Sequence, residues 1–150
     1  PQFPNLNLDR DIYCSFMGRF DTHPCRVSMK QIMNDRIKCY KSTDFNQYVN
    51  LLNRSIFTLS PRGYGYTSFR IYEAILAGSI PIYIWDDKCI LPFNDIIDWD
   101  KIAIIIKADE LNILEEKMNN INIKKYQDEI KKIRHLMTIE KTFDYIKNNI

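Results

Sequence analysis

The chain has little of what announces a metal centre, a membrane span or a nucleic-acid surface. Its four cysteines, Cys14, Cys25, Cys39 and Cys89, form no Cys-x-x-Cys pair, and only two histidines, His23 and His135, could join them. A zinc centre needs clustered ligands at motif spacing, so no metal site is expected. Cys25 and Cys39 are the pair a bridge would use, which spacing leaves open, and Cys14 sits in an apolar run that suits a small core residue. Charge of one sign is missing too: 21 basic residues against 19 acidic leave a net +2. Nucleic acids and anionic membranes demand a concentrated basic surface, so neither is expected as a partner, whereas a diphosphate needs only a few placed cations. No apolar run approaches the ~20 residues that cross a bilayer, and no secretory signal is visible. These absences lean toward the cytoplasm, with the Golgi lumen as the alternative for a piece of a longer protein. The opening Pro1-Gln2-Phe3-Pro4, without a methionine, suits such a piece.

What is present reads as one globular domain over residues 1–150: 45% hydrophobic, 27% charged, with no repeat, linker or low-complexity tract. Short apolar runs at Ile12–Met17, Ile37–Tyr40, Ile56–Leu59, Ile80–Ile84 and Ile102–Ile106 predict five strands. Helical spacing predicts helices over Arg26–Asn34, over the segment capped by Ser42 or Thr43 with Phe45, Tyr48, Val49 and Leu52 inward, and over Ser68–Ala77, which Gly78 closes. Glu110–Asn119, Lys124–His135 and Glu140–Asn148 predict closing helices. The alternation argues for an α/β fold: a Rossmann-like, doubly wound parallel sheet of about five strands with C-terminal helices. A strand order of 2-1-3-4-5 would put the ligand crevice between strands one and three, where Gly18-Arg19-Phe20 and Ser60–Thr67 meet.

The loop Pro61-Arg62-Gly63-Tyr64-Gly65-Tyr66 holds two glycines that allow a tight turn and close approach of a ligand. Thr67 or Ser68 suits the N-cap of the next helix, whose free N–H groups favour a phosphate. Arg70 in the first turn opposes the helix dipole, a cost that a bound anion would reverse. Arg62 adds a second guanidinium, a group that matches phosphate oxygens in pairs. Glu73, three residues on and on the same helical face, suits sugar hydroxyls. The set reads as a site for a nucleoside diphosphate. Against it stands a plain Arg70–Glu73 helical ion pair above an ordinary loop. There is neither a Walker loop nor a full Gly-x-Gly-x-x-Gly fingerprint.

The stretch Arg54–Phe93 closely resembles the signature region of the exostosin family of glycosyltransferases. The matching elements are Ser60-Pro61-Arg62-Gly63, Ser68-Phe69-Arg70, Glu73-Ala74-Ile75, Gly78-Ser79-Ile80-Pro81, Asp86 or Asp87, and Leu91-Pro92-Phe93. Looser matches run through Ser15-Phe16-Met17-Gly18, Arg26, Trp99 and Ile102–Ile106. The resemblance implies the nucleotide-sugar-binding, C-terminal half of an enzyme with two Rossmann-like domains (the GT-B arrangement). It implies transfer of a sugar from a nucleotide donor, commonly UDP-linked, to a glycan or glycoprotein acceptor, with inversion and without a metal cofactor. Carried onto this chain, Arg62, Gly63, Ser68 and Arg70 would hold the diphosphate and Glu73 the ribose. Gly18 and Arg19 complete the crevice, and Asp86 and Asp87 would reach donor hydroxyls.

Two departures go with the resemblance. Thr58 and Ser60 stand where the family often has cysteines, and the 150 residues are too few to hold the family's N-terminal acceptor domain. No general base stands out: His23 follows the crevice loop but sits beside Pro24 as a turn residue would, and His135 lies on a late helix. Tyr64, Trp85 and Trp99 could stack on a base or a sugar, or simply pack. The rival readings are a fucosyltransferase-like domain using GDP-fucose and a non-catalytic interaction module that keeps the fold.

Overall fold

A computed structural model describes residues 9–149; the opening Pro1-Gln2-Phe3-Pro4 lies outside them. Five parallel strands form a single sheet: β1 (Ile12–Met17), β2 (Ile37–Tyr40), β3 (Ser55–Pro61), β4 (Ile80–Trp85) and β5 (Ile104–Lys107), in the order β2-β1-β3-β4-β5. The registers Cys14 with Ile37, Cys14 with Phe57, Leu59 with Ile82 and Ile84 with Ile106 place the apolar residues of neighbouring strands side by side. In β4, Ile80, Ile82, Tyr83 and Ile84 are all fully buried, and each of these isoleucines stabilises the fold by about 1.5–3 kcal/mol. A strand covered on both faces needs no polar alternation, which is why these runs are almost purely apolar.

The helices are α1 (Pro24–Ser28), α2 (Phe45–Arg54), α3 (Phe69–Ala77), α4 (Leu114–Asn120), α5 (Ile123–Ile133) and α6 (Ile139–Asn148). β1 to β2 runs one way across the sheet, and β2 to β3 to β4 runs the other. Right-handed crossovers therefore put α1 on one face and α2 and α3 on the other. α2 packs against α3, and α1 packs against the 3-10 segment Ala108–Ile113. The sheet is thus doubly wound, and the direction of the chain reverses between β1 and β3. Among the described residues no helix is long and apolar enough to cross a membrane.

Several elements differ from the sequence-based expectation. The helix expected over Arg26–Asn34 is a five-residue α1 continued by a 3-10 turn over Met29–Ile32. Pro24 starts it early, and Cys25, Arg26 and Met29 are its buried positions. Asp44 rather than Ser42 or Thr43 caps α2, its side chain accepting from the Asn46 N–H at 2.8 Å. Phe45, expected inward, is exposed at the first position of α2. β5 begins at Ile104, since a 3-10 turn at Trp99–Lys101 uses the preceding residues. All four cysteines are free. The lower edge of the sheet is tied by Arg10, whose guanidinium donates to the carbonyls of Leu52, Asn53, Ser55 and Ala77 at 2.5–3.0 Å.

Candidate functional site

The loop after β1 and the loop after β3 meet at the carboxyl end of the sheet, with the start of α3 between them. α3 begins at Ser68, whose extended backbone (φ −132°, ψ 132°) and Oγ, 3.3 Å from the Arg70 N–H, form the N-cap. Ile71, Ala74 and Ile75 hold the helix on the sheet. It ends at Gly78 in the left-handed region (φ 76°), where the Gly78 and Ser79 amides close on the carbonyls of Ile75 and Ala74.

Arg62 is fixed from both ends. Its backbone N–H donates to the Ile84 carbonyl at 3.1 Å, extending the β3–β4 ladder into the loop. Its buried guanidinium donates through Nη1 to Asp86 Oδ1 at 2.8 Å and lies 4.4 Å from the centre of the Tyr66 ring. Nε of Arg62 is buried with no partner among the described residues. Burial pushes the Asp86 carboxyl upward. The Arg62 hydrogen bond, the Asp87 N–H and the charges of Arg62 and His23 outweigh that, so the group titrates below the ordinary carboxylate range. Asp86 is therefore spent largely on Arg62 and does not point as a free acid at a ligand. Asp87 is exposed and accepts from the Tyr66 hydroxyl at 3.1 Å. The two carboxylates serve different partners rather than forming a pair. Among the described residues no three His, Cys, Asp or Glu side chains converge as a metal site.

Arg70 reaches back from the first turn of α3 over the Phe16 ring, 5.2 Å from its centre, and donates through Nη2 to the Met17 carbonyl at 2.7 Å. Its Nε is also buried without a partner among the described residues. Gly18 makes this contact fit, because a Cβ there would lie 2.5 Å from Arg70 Nη2. Glu73 does not pair with Arg70. Its Oε2 accepts from the Tyr48 hydroxyl of α2 at 2.5 Å, leaving Oε1 unengaged among the described residues. Burial, then the charge of Glu73 and this hydrogen bond, push the Tyr48 hydroxyl well above its usual range, so it stays a donor.

The remaining candidates lie as follows. Arg19 turns outward and forms a two-toothed pair with Asp21, at 3.0 and 2.7 Å; only its carbonyl faces inward, accepting from Arg26 Nη1 at 3.2 Å. Gly63 lies against Arg26 Nη2, 3.1 Å from where its Cβ would stand, whereas a Cβ at Gly65 would meet nothing. Neither glycine has a positive φ, so the conformational freedom expected of the pair is not used. His23 caps α1: Nδ1 accepts from the Cys25 N–H at 3.1 Å, and Nε2 faces Asp86 Oδ2 at 3.6 Å. Nδ1 is thereby spent on the cap, while Nε2 lies near Asp86 beyond hydrogen-bond distance. His135 is exposed. Trp99 packs in the core with Nε1 on the Pro92 carbonyl, Trp85 lies under Lys107, and Tyr64 stands in solvent.

The crevice thus gathers Arg62, Gly63, Ser68, Arg70 and Gly18, with Glu73 beside it on α3, while the side chain of Arg19 lies outside. Grooves of about 390 Å³ beside Met17 and Tyr40, and about 600 Å³ beside Phe69 and Glu73, flank it. Sequence reasoning missed Tyr48, which it placed among the inward positions of α2, and gave Arg26 no role although it falls within the looser match to the exostosin family.

Comparison with known proteins gives a coherent set of similarities. The sequence profile of the Exostosin GT47 domain matches residues 3–121. A probable glucuronosyltransferase of Oryza sativa subsp. japonica is 28% identical over 124 residues, covering 75% of this chain and 29% of that protein. Probable glucuronosyltransferase 47 A of Physcomitrium patens is 37% identical over 75 residues, 50% of this chain and 16% of that protein. The Exostosin-1 homolog of Caenorhabditis elegans is 42% identical over 74 residues, 49% of this chain and 19% of that protein. The chain spans less than a third of the length of these relatives.

Proposed function

The chain belongs to the exostosin GT47 family of glycosyltransferases, and we propose that it is the donor-binding half of such an enzyme, taking a UDP-linked sugar for transfer to a glycan acceptor. The observation that carries this reading is the guanidinium of Arg70, which has no carboxylate at ion-pair distance among the described residues and is held by a carbonyl at the start of α3. A carbonyl places a cation without neutralising it, so Arg70, the α3 amides and the neighbouring Arg62 offer their field to an incoming diphosphate. Glu73, steadied through one oxygen by Tyr48, keeps the other for ribose hydroxyls.

In the displacement this implies, the acceptor oxygen attacks the anomeric carbon and the bond to the nucleoside diphosphate breaks. Arg62, Arg70 and the helix N-terminus stabilise the negative charge that builds on the departing diphosphate, an effect that is large because the donors are placed before reaction. The cations doing this are guanidiniums, so the proposed reaction needs no metal. The base that deprotonates the acceptor is assigned to a further domain, since His23 spends Nδ1 on the α1 cap and turns Nε2 toward Asp86. Relatives named as glucuronosyltransferases make a glucuronosyl donor the first sugar to try.

Calorimetric titration of the chain with UDP and GDP in the presence of EDTA tests the reading. Saturable UDP binding that Arg70→Ala abolishes is expected. Preference for GDP would favour the fucosyltransferase-like alternative, and binding of neither by a folded chain would leave an interaction module as the better account.

A further inference from the structure

Arg26 is buried on α1, and its contacts explain only part of what it does. Nε donates to the Arg62 carbonyl at 3.0 Å and Nη1 to the Arg19 carbonyl at 3.2 Å, tying the loop after β3 to the loop after β1. Nη2 makes no hydrogen bond among the described residues and lies over Gly63. Arg26 and Arg70 approach the same Phe16 ring, at 6.0 and 5.2 Å from its centre. Burial, and then the positive charge of Arg70, make Arg26 easier to deprotonate than a free arginine. Among the described residues neither guanidinium has a carboxylate at ion-pair distance. Asp86 is taken by Arg62 and Glu73 by Tyr48.

Two like charges converging in a crevice without a counter-ion destabilise the fold, and contact with an aromatic face offsets only a fraction of that. Tying two loops requires hydrogen-bond donors, not a second cation next to Arg70. An anion bound between them removes the repulsion. We propose that Arg26 is an anion-binding residue which, with Arg70, cradles the phosphate distal to the nucleoside. This assignment rests on the donor-binding reading above. Its geometry follows from the winding of the sheet: Glu73 is held from α2 on one face, Arg26 stands on α1 on the other, and Arg70 lies between them at the end of β1. A nucleotide with its ribose at Glu73 and its first phosphate at Arg70 directs its second phosphate toward Arg26. A Cβ at Gly63 would stand 3.1 Å from Nη2, so a larger residue there would crowd the guanidinium on the side this phosphate would approach.

The test is titration of the chain and its Arg26→Gln variant with UDP, UMP and inorganic pyrophosphate. Affinity for UDP and pyrophosphate is expected to fall about tenfold or more, the scale of one charge-assisted contact, with UMP little changed. An equal loss for UMP and UDP, or no loss for either, would reduce Arg26 to a loop tie and overturn the assignment. Should the variant not fold, the side-chain ¹H–¹⁵N signals of the wild-type chain decide. Pyrophosphate should move the Arg26 and Arg70 guanidinium signals with one dissociation constant, and an unmoved Arg26 signal overturns the assignment. Failure of the donor reading looks different: UDP and GDP fail to bind while pyrophosphate still binds through Arg26.

Discussion

Two arginines in one crevice are held in two chemically different ways. Arg62 gives one nitrogen to a carboxylate, so its charge is answered in part, and Arg70 is held by the Met17 carbonyl, so its charge is not. Gly18 is the residue that permits the second arrangement, since an added Cβ would stand 2.5 Å from Arg70 Nη2. The atom it meets is the end of a flexible side chain, so Gly18→Ala is expected to displace the guanidinium rather than unfold the chain. UDP affinity should fall about tenfold, the worth of one hydrogen bond to a charged group, with unfolding still cooperative. Unchanged affinity by calorimetry would show that the Met17 contact does not position Arg70 for the ligand. Arg62, Arg70 and Glu73 were legible as a group in the sequence because loop, cap and helical spacing are local. The pairing of Glu73 with Tyr48 rather than Arg70 was not, because it joins residues 25 apart in the chain.

At the level of single elements, α3 was legible and α1 was not. α3 carries its start in Ser68, its inner face in Ile71, Ala74 and Ile75, and its stop in Gly78, so every local preference agrees. Ser68→Ala is expected to cost about 1 kcal/mol through loss of the cap. A lower urea midpoint at unchanged slope would report it, and an unchanged midpoint would mean that packing alone holds the first turn. α1 has too few residues for periodicity to mark its ends, and its boundary depends on Pro24 and on the His23 cap instead. Reading Arg26–Asn34 as one helix therefore set its start two residues late and its α-helical part too long.

Across the whole molecule, thiol chemistry reports the packing directly. Cys14 and Cys25 are buried and Cys25 is pushed up to about 11, first by burial and then by the charge of Asp86. Cys39 is half-buried and Cys89 exposed, and all four are free. A thiol-specific disulfide reagent at mild alkaline pH should therefore modify Cys89 first and Cys39 more slowly, and reach Cys14 and Cys25 only after unfolding. Rapid modification of Cys25 in the native state would contradict the packing of α1 on the sheet. A need for prior reduction would reveal a Cys25–Cys39 bridge.

The sequence by itself determined the class of the fold, the five strands and the loop that carries the candidate site, because apolar periodicity, caps and glycine stops act over a few residues. The strand order 2-1-3-4-5 was a choice among windings that right-handed crossovers all satisfy, and the sheet has that order. Only the tertiary structure decided how the charges are shared: Asp86 to Arg62, Tyr48 to Glu73, Asp21 to Arg19, and, among the described residues, no acid at ion-pair distance from Arg26 or Arg70. Ion pairing depends on distances of a few ångströms between side chains from different elements, and those distances exist only once the sheet is wound and its loops are brought together.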